Sequence, residues 1–563
     1  MPLHSRVRVC LSRLAVYCGG LLGLFASNFS QDCRAQGAPT VRLPQDVSRD
    51  LEAVKRDVPL VIDRNRFAEQ VPEGAAGITF RLAAIELEGN ATIPTSTLEP
   101  LWHDLIGHDI PLSAVFDVAA RIGAAYRNAG YVLSQALVVR QDIAQAGGRV
   151  RLRVVEGYVD HVVVADDVPG APHIRQLLEP IQRERPLTLA TLERRLLLLN
   201  DLPGVNARAT LRAGTDDGAA NMELVIQRDL NAASIAMHNR TVTAIGPVRI
   251  EASGERRSLF GAFDREVLRY VTSANGRLNL LAYDGDAPVG ANGATVSWAA
   301  SMSKSKPKAG DSFSFDTDSH DASVGVAYPV LRSRRANLSV RSTLAGYDGS
   351  SDILDGLQET RERIRSIRTG LTFDLTDDLG GIDLVDFEID KGLSGLGASR
   401  REDPTLARLG SNPQFTKSTL YLARLQSLGG EWSLLAAATA QFTNDLLTSS
   451  EQFGLGGEMF LRAYDPSELL GDSGQAGKLE LRYNADWGPA TTTTYGFYDT
   501  GSVRLRSEGG PSTRESAGSC GLGLRLGARN VKAFLEVAKP LHRPTVRSGA
   551  EDVRVFAGIE IDL

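Results

Sequence analysis

The chain has 563 residues, with 62 Lys and Arg against 68 Asp and Glu, a formal net charge of -6 and 42% hydrophobic residues. That length allows two to four domains, and the near-balanced charge excludes a basic nucleic-acid-binding surface. Beyond the N-terminus no apolar run approaches the roughly 20 residues of a spanning helix, which leaves membrane strands open because they hide apolar residues by alternation.

Residues 1–35 have the plan of a secretory signal. Arg6, Arg8 and Arg13 form a basic region, Leu14 to Ala26 an apolar core, and Cys33-Arg34-Ala35 a small-x-small cleavage site before Gln36. Three of the four cysteines fall in this segment, so the mature chain keeps only Cys520. One thiol makes neither an internal disulfide nor a cysteine-based zinc site. Residues 36–77 form an N-terminal segment with a short helix expected between Ser48 and Lys55, stopped by Pro59. Pro72, Gly74 and Gly77 mark a linker. This segment reads either as a mobile plug or as a tether.

Residues 78–157 read as strand, helix, helix, strand, strand. Leu82–Glu88 is the first strand, Thr95–Ile106 a helix carrying Leu98, Leu101, Trp102 and Leu105, and a second helix opens near Leu112 and stops at Asn128-Ala129-Gly130. Strands Tyr131–Arg140 and Arg149–Val155 follow. Residues 158–228 repeat that order with Val159–Ala165, helices His173–Gln182 and Leu189–Leu199, and strands Val205–Ala213 and Asn221–Gln227.

Residues 229–563 show no long helix but many short alternating runs separated by Gly, Asp, Asn and Ser. In Lys478–Trp487, Leu479, Leu481, Tyr483, Ala485 and Trp487 share one face, while Lys478, Glu480, Arg482, Asn484 and Asp486 share the other. A strand of about ten residues with one apolar and one charged face suits a membrane barrel with lipid outside and water inside; a two-layer soluble sheet with one wet face is the other reading. In the terminal run, Val553, Val555, Ala557, Ile559, Ile561 and Leu563 share a face. Between two strand-like segments lies Phe453-Gly-Leu-Gly-Gly-Glu-Met-Phe-Leu-Arg-Ala-Tyr-Asp-Pro-Ser-Glu468, whose Gly454, Gly456 and Gly457 let backbone turn tightly and pack closely.

Several pieces carry a family resemblance. They are Ile85-Glu-Leu-Glu-Gly-Asn90, Tyr126-Arg-Asn-Ala-Gly-Tyr131, Arg140-Gln-Asp142 and Val155-Glu-Gly157 in the first repeat, and Leu199-Asn-Asp-Leu-Pro-Gly-Val205 in the second. The repeats resemble two POTRA domains, 78–157 and 158–228, of the type found in two-partner secretion transporters of the haemolysin-activator family. Asn239, Gly246 and Ser258-Leu-Phe-Gly-Ala-Phe-Asp264 also stand where those transporters carry similar residues. The resemblance implies α+β POTRA domains followed by an all-β transmembrane barrel of sixteen antiparallel strands over 229–563, with a loop near 453–475 folded inward.

In that family the loop carries a Val-Arg-Gly-Tyr or Phe signature; here it stands as Leu461-Arg462-Ala463-Tyr464. If position 463 needs a positive φ, alanine there is strained. Gly496-Phe-Tyr-Asp-Thr-Gly501 resembles the family's Phe-x-Asp-x-Gly strand. The resemblance implies a lock in which Arg462 meets Asp499, with Tyr464, Phe497 and Gly501 around it. A guanidinium binds a carboxylate with two parallel hydrogen bonds, which fixes orientation as well as position.

Neither catalytic, cofactor-binding nor metal-binding residues are expected. Gly471-Asp-Ser-Gly474 lacks the following glycine and placeable partners of a serine nucleophile, and the eight histidines are scattered. The expected protein is a monomeric outer-membrane barrel of a Gram-negative bacterium with its POTRA domains in the periplasm. It would move one large exoprotein, captured unfolded by the POTRA domains and either secreted or also activated, as haemolysins and adhesins are. A barrel insertase of the same superfamily and a passive porin or receptor are the alternatives.

Overall fold

The structure is a computed structural model. It describes residues 60–62 and 71–563, apart from 144, 166–167, 262, 310–312, 354–357 and 547. The expected signal (1–35) and the Ser48–Lys55 helix lie outside the described residues.

The first unit packs a three-stranded sheet, in the order Ala84–Glu88, Arg149–Val155, Gln135–Val138, against the helix Leu112–Asn128. Val115, Val118, Ala119, Ile122 and Tyr126 recur at helical spacing on that helix and are all buried. Two expected elements are shorter than read. The helix from Thr95 ends at Leu98 and continues as two 3₁₀ turns, because Pro100 has no N–H for an α-helical ladder. The strand expected over Tyr131–Arg140 pairs only over Gln135–Val138. Gln141 replaces the missing ladder: its side-chain amide accepts from the Arg151 N–H at 2.8 Å and donates to the Arg151 carbonyl at 2.8 Å. Glu156 accepts from the Tyr126 hydroxyl at 2.8 Å and from both the N–H and hydroxyl of Thr92. Burial, reinforced by that carboxylate, pushes the Tyr126 phenol above its ordinary pKa.

The second unit has helices Ala171–Arg183 and Leu189–Asn200 over a four-stranded sheet. Its strand Val205–Ala213 pairs in parallel with Leu60–Ile62, so part of the N-terminal segment joins this sheet as an edge strand. Asn200 ties helix to strand, accepting from the Ala207 N–H at 2.8 Å.

Sixteen long antiparallel strands, counted over the described residues, close into a barrel from Asn231–His238 to Arg554–Asp562; Lys308–Ala309 is a small extra hairpin arm. No described helix is long and apolar enough to cross a membrane. The outer wall is apolar: Leu479, Leu481, Tyr483 and Trp487 all face out from Ser473–Trp487, and Val555 and Ile559 from the last strand. Trp432 and Tyr483, 5.0 Å apart, belong to the aromatic rim expected at a membrane interface. Several strands exceed the ten or so residues expected, reaching 20 in Phe313–Arg332 and 18 in Ala336–Ile353, so they project past the bilayer.

The two barrel ends differ. One has tight turns such as 430–431, 488–489 and 529–530; the other has the long connections 393–415, 444–472 and 542–553. The second α/β unit docks on the tight-turn end. Arg332 makes a bidentate pair with Asp201 at 2.7 and 2.8 Å, Arg194 donates to the Pro329 carbonyl at 2.8 Å, and Arg195 donates to that of Ala291 at 2.9 Å. Phe263, from the turn after the second strand, is buried in the core of the α/β unit although its φ is +59°.

Candidate functional site

The connection 444–472 does not extend outward but folds down the inner wall. Phe460, Leu461, Ala463 and Tyr464 are buried against Leu435, Ala437, Tyr495 and Phe497. Close approach to the wall depends on Gly501, where a Cβ would stand 2.7 Å from Leu455 and 3.0 Å from Ala476. Gly456 and Gly457 have φ of +120° and +92°, while Gly454 lies in the short strand Phe453–Leu455. Ala463 has no positive φ; the left-handed residue is Leu461, at +62°. Alanine therefore sits at 463 without backbone strain, and the turn is made two residues earlier.

Arg462 is 2% exposed. Its Nε donates to Asp499 Oδ2 at 3.0 Å and its Nη2 to Asp499 Oδ1 at 2.9 Å, and its backbone N–H reaches Oδ2 at 3.1 Å. Ser519 donates its hydroxyl to the same oxygen at 3.2 Å. The guanidinium lies over the Phe497 ring, 3.5 Å from its centroid. Tyr464 donates to the carbonyls of Leu541 and Arg543 at 3.2 and 2.8 Å. The structure thus brings Arg462, Asp499 and Phe497 into direct contact, while Tyr464 packs in the same apolar cluster as Phe497 and Gly501 lies against that cluster's Leu455 and Ala476.

Two carboxylates complete it that sequence reasoning did not assign. Glu480 accepts from Arg462 Nη1 at 2.5 Å, and Glu536 lies 3.7 Å from the same nitrogen. Glu480 also binds Arg482 at 2.7 Å and Arg525 at 2.9 Å; Glu536 binds Arg240 at 2.7 Å and the Tyr495 hydroxyl at 2.8 Å. The signal for Glu480 was its place on the polar face of Lys478–Trp487. Removing one partner from such a network strands a charge where water is scarce, which typically costs about 3–5 kcal/mol.

A second clamp lies nearer the long-loop end. Asp472, fully buried in the Gly-Asp-Ser-Gly stretch, accepts from Arg408 Nη1 and Nη2 at 2.6 and 2.9 Å and from the N–H groups of Leu447 and Arg506, both at 2.7 Å. Sequence reading weighed that stretch only as a nucleophile motif and set it aside; its aspartate is the anchor that ties connections 393–415 and 444–472 to the strand Ala490–Ser507.

Fold and site together define a class: an outer-membrane β-barrel with a charged loop tied into its lumen and α/β modules on its periplasmic rim. The model of the haemolysin secretion/activation proteins ShlB/FhaC/HecB matches residues 227–526, and that of the ShlB-type POTRA domain matches residues 80–157. The chain belongs to this family of haemolysin secretion/activation proteins. It is 22% identical over 494 residues to the heme/hemopexin transporter protein HuxB of Haemophilus influenzae (strain 86-028NP), covering 82% of this chain and 84% of that one. It is 21% identical over 465 residues to the outer membrane transporter CdiB of Escherichia coli O6:K15:H31 (strain 536 / UPEC), covering 79% and 75%. The solved structure of CdiB from Escherichia coli superposes with a TM-score of 0.73 at 17% identity over 96% of this chain and 98% of that one, which shows a shared fold. The protein is an outer-membrane transporter of two-partner secretion that translocates an exoprotein, with its POTRA region in the periplasm. Members of this family are transporters rather than enzymes.

Proposed function

We propose that the barrel works as a monomer and exports one large partner that its POTRA domains, 78–157 and 158–228, hold unfolded. An unfolded chain suits the second unit's sheet, which already takes up the extended segment Leu60–Ile62 beside Val205–Ala213 and has Tyr158–Val163 as its other edge; exposed sheet edges bind extended chains by strand addition. The outer membrane carries no ATP, so folding of the partner outside would supply the drive.

The observation that carries the conduit reading is Arg462, buried in the lumen among Asp499, Glu480 and Glu536. At rest this centre holds the loop against the wall formed by strands Ser473–Trp487 to Val531–Leu541. Passage of a polypeptide displaces the loop from those strands. Deletion of the gene tests the export reading. One specific large protein should vanish from the medium while other outer-membrane barrels keep their normal levels. Normal secretion with depleted barrels would overturn it in favour of membrane insertion.

A further inference from the structure

The closing seam of the barrel has the shortest ladder the first strand makes. Asn231–His238 pairs along its whole length with Arg249–Arg257, but with the last strand it pairs only from Ser234 opposite Asp562 to His238 opposite Gly558. Backbone bonds extend this by one residue at each end, from the Leu563 N–H to the Ala233 carbonyl at 2.8 Å and from the Asn239 N–H to the Ala557 carbonyl at 3.1 Å, and side chains add to them. The Asn239 amide donates to the Val555 carbonyl at 3.0 Å and accepts from the Ala557 N–H at 2.8 Å, acting as one more ladder residue.

The inward loop then reaches both sides. Asp465, just past Tyr464, accepts through Oδ2 from the N–H and hydroxyl of Thr243 at 2.9 and 2.7 Å. Thr243 belongs to the connection leaving the first strand. Through Oδ1 the same carboxylate accepts from Arg554 Nη2 at 2.5 Å, and Arg554 opens the last strand. The other Arg554 nitrogen donates to the Ala463 carbonyl at 2.9 Å. Arg240, the residue after Asn239, passes between Phe534 and Phe556, 5.0 and 4.8 Å from their ring centres, to bind Glu536. Glu536 neighbours Arg462. The seam is therefore bridged twice, once by the loop itself and once by a side chain that ends at the loop's anchor.

We propose that Asp465 is a positioning residue that clasps the first strand to the last, so that the loop and the seam are released together. The claim concerns the barrel wall and stands whatever the loop does in export. Two acceptor oxygens facing opposite ways are what the geometry requires. An amide at 465 has one: turned to Arg554 it leaves the Thr243 N–H without an acceptor, and turned to Thr243 it sets its own N–H against the Arg554 guanidinium.

The test is hydrogen exchange of the full chain in detergent, read by mass spectrometry. Asp465→Asn and Thr243→Val should each raise exchange of amides in 231–238 and 554–562 by about tenfold or more. Strands 490–528 should be unchanged and the folded band on unheated gels retained. Thr243→Ser, which keeps the hydroxyl, should behave as the natural protein. A disulfide across the seam, from Ile235→Cys and Ile561→Cys, which stand opposite each other in the register, should abolish the rise in Asp465→Asn. Seam exchange that stays at the natural rate in Thr243→Val, or a rise shared equally by 490–528, would overturn the proposal.

Discussion

Arg462 and Asp499 are joined by two parallel side-chain hydrogen bonds at 3.0 and 2.9 Å, and by a third from the Arg462 backbone N–H to the same carboxylate. The third bond matters as much as the pair. It means Asp499 orients the loop backbone itself and does more than neutralise the guanidinium. A loop of 29 residues, 444–472, is thereby fixed to the wall at one point by side chain and main chain together.

Arg462→Ala should lower export much more than barrel abundance. It leaves Asp499 and Glu480 buried without their shared partner, a loss of about 3–5 kcal/mol that falls on loop anchoring. Arg462→Lys should be nearly as damaging, since an ammonium cannot reproduce the parallel fork. The check is exoprotein in the medium relative to folded barrel in the membrane. Export that is unchanged in both variants would remove the loop from the mechanism.

Gly501→Val should free the loop without touching any charge. Its side chain would need the space now held by Leu455 and Ala476. Overpacking of this kind costs about 1–3 kcal/mol. Trypsin added outside intact cells should then cleave after Arg462, which is buried in the natural protein. Continued protection of that bond would show that the loop tolerates the added volume.

Arg408→Ala should loosen the outer clamp. Asp472 keeps its two backbone donors but loses both guanidinium bonds, worth about 1.5–3 kcal/mol for a charged acceptor. The temperature at which the folded band converts to the unfolded one on gels should fall, and connection 393–415 should become protease-sensitive. An unchanged conversion temperature would mean that Asp472 is satisfied by the backbone alone.

What the sequence made legible follows from period and local chemistry. The alternation in Lys478–Trp487 was complete, so its outward face of Leu479, Leu481, Tyr483 and Trp487 was readable without partners. Repeated strand–helix order marked the two α/β units. The Arg462–Asp499 contact came from resemblance, not from spacing. Glu480 and Glu536 were hidden because barrel register decides which lumen carboxylates meet one arginine, and register is a property of neighbouring strands. Asp472 was missed because a Gly-Asp-Ser-Gly stretch looks the same whether its aspartate is solvated or buried. Docking through Phe263 had no local signal at all, since a bulky residue with positive φ is locally unfavourable and only tertiary burial makes it stable.

Docking of the second α/β unit should weaken at acidic pH. His173, on the helix Ala171–Arg183, stands 5.6 Å from the Phe263 ring, and its Nε2 is buried without a hydrogen-bond partner. Burial holds the His173 pKa below its ordinary value. A proton placed there would also face Arg228, whose guanidinium lies 4.5 Å over the same ring. The imidazole is therefore neutral in the docked state and binds a proton more readily when undocked. The stability it contributes is full above the ordinary histidine value of about 6.5, declines as pH falls below it, and levels off beneath the depressed value. Spin labels on the α/β unit and on a barrel turn should report a narrow distance distribution at neutral pH and a broader one in acid. Phe263→Ala should broaden it at both, as loss of a buried aromatic costs about 3–5 kcal/mol. His173→Gln should remove the pH dependence; a pH response that persists in that variant would place the titrating group elsewhere.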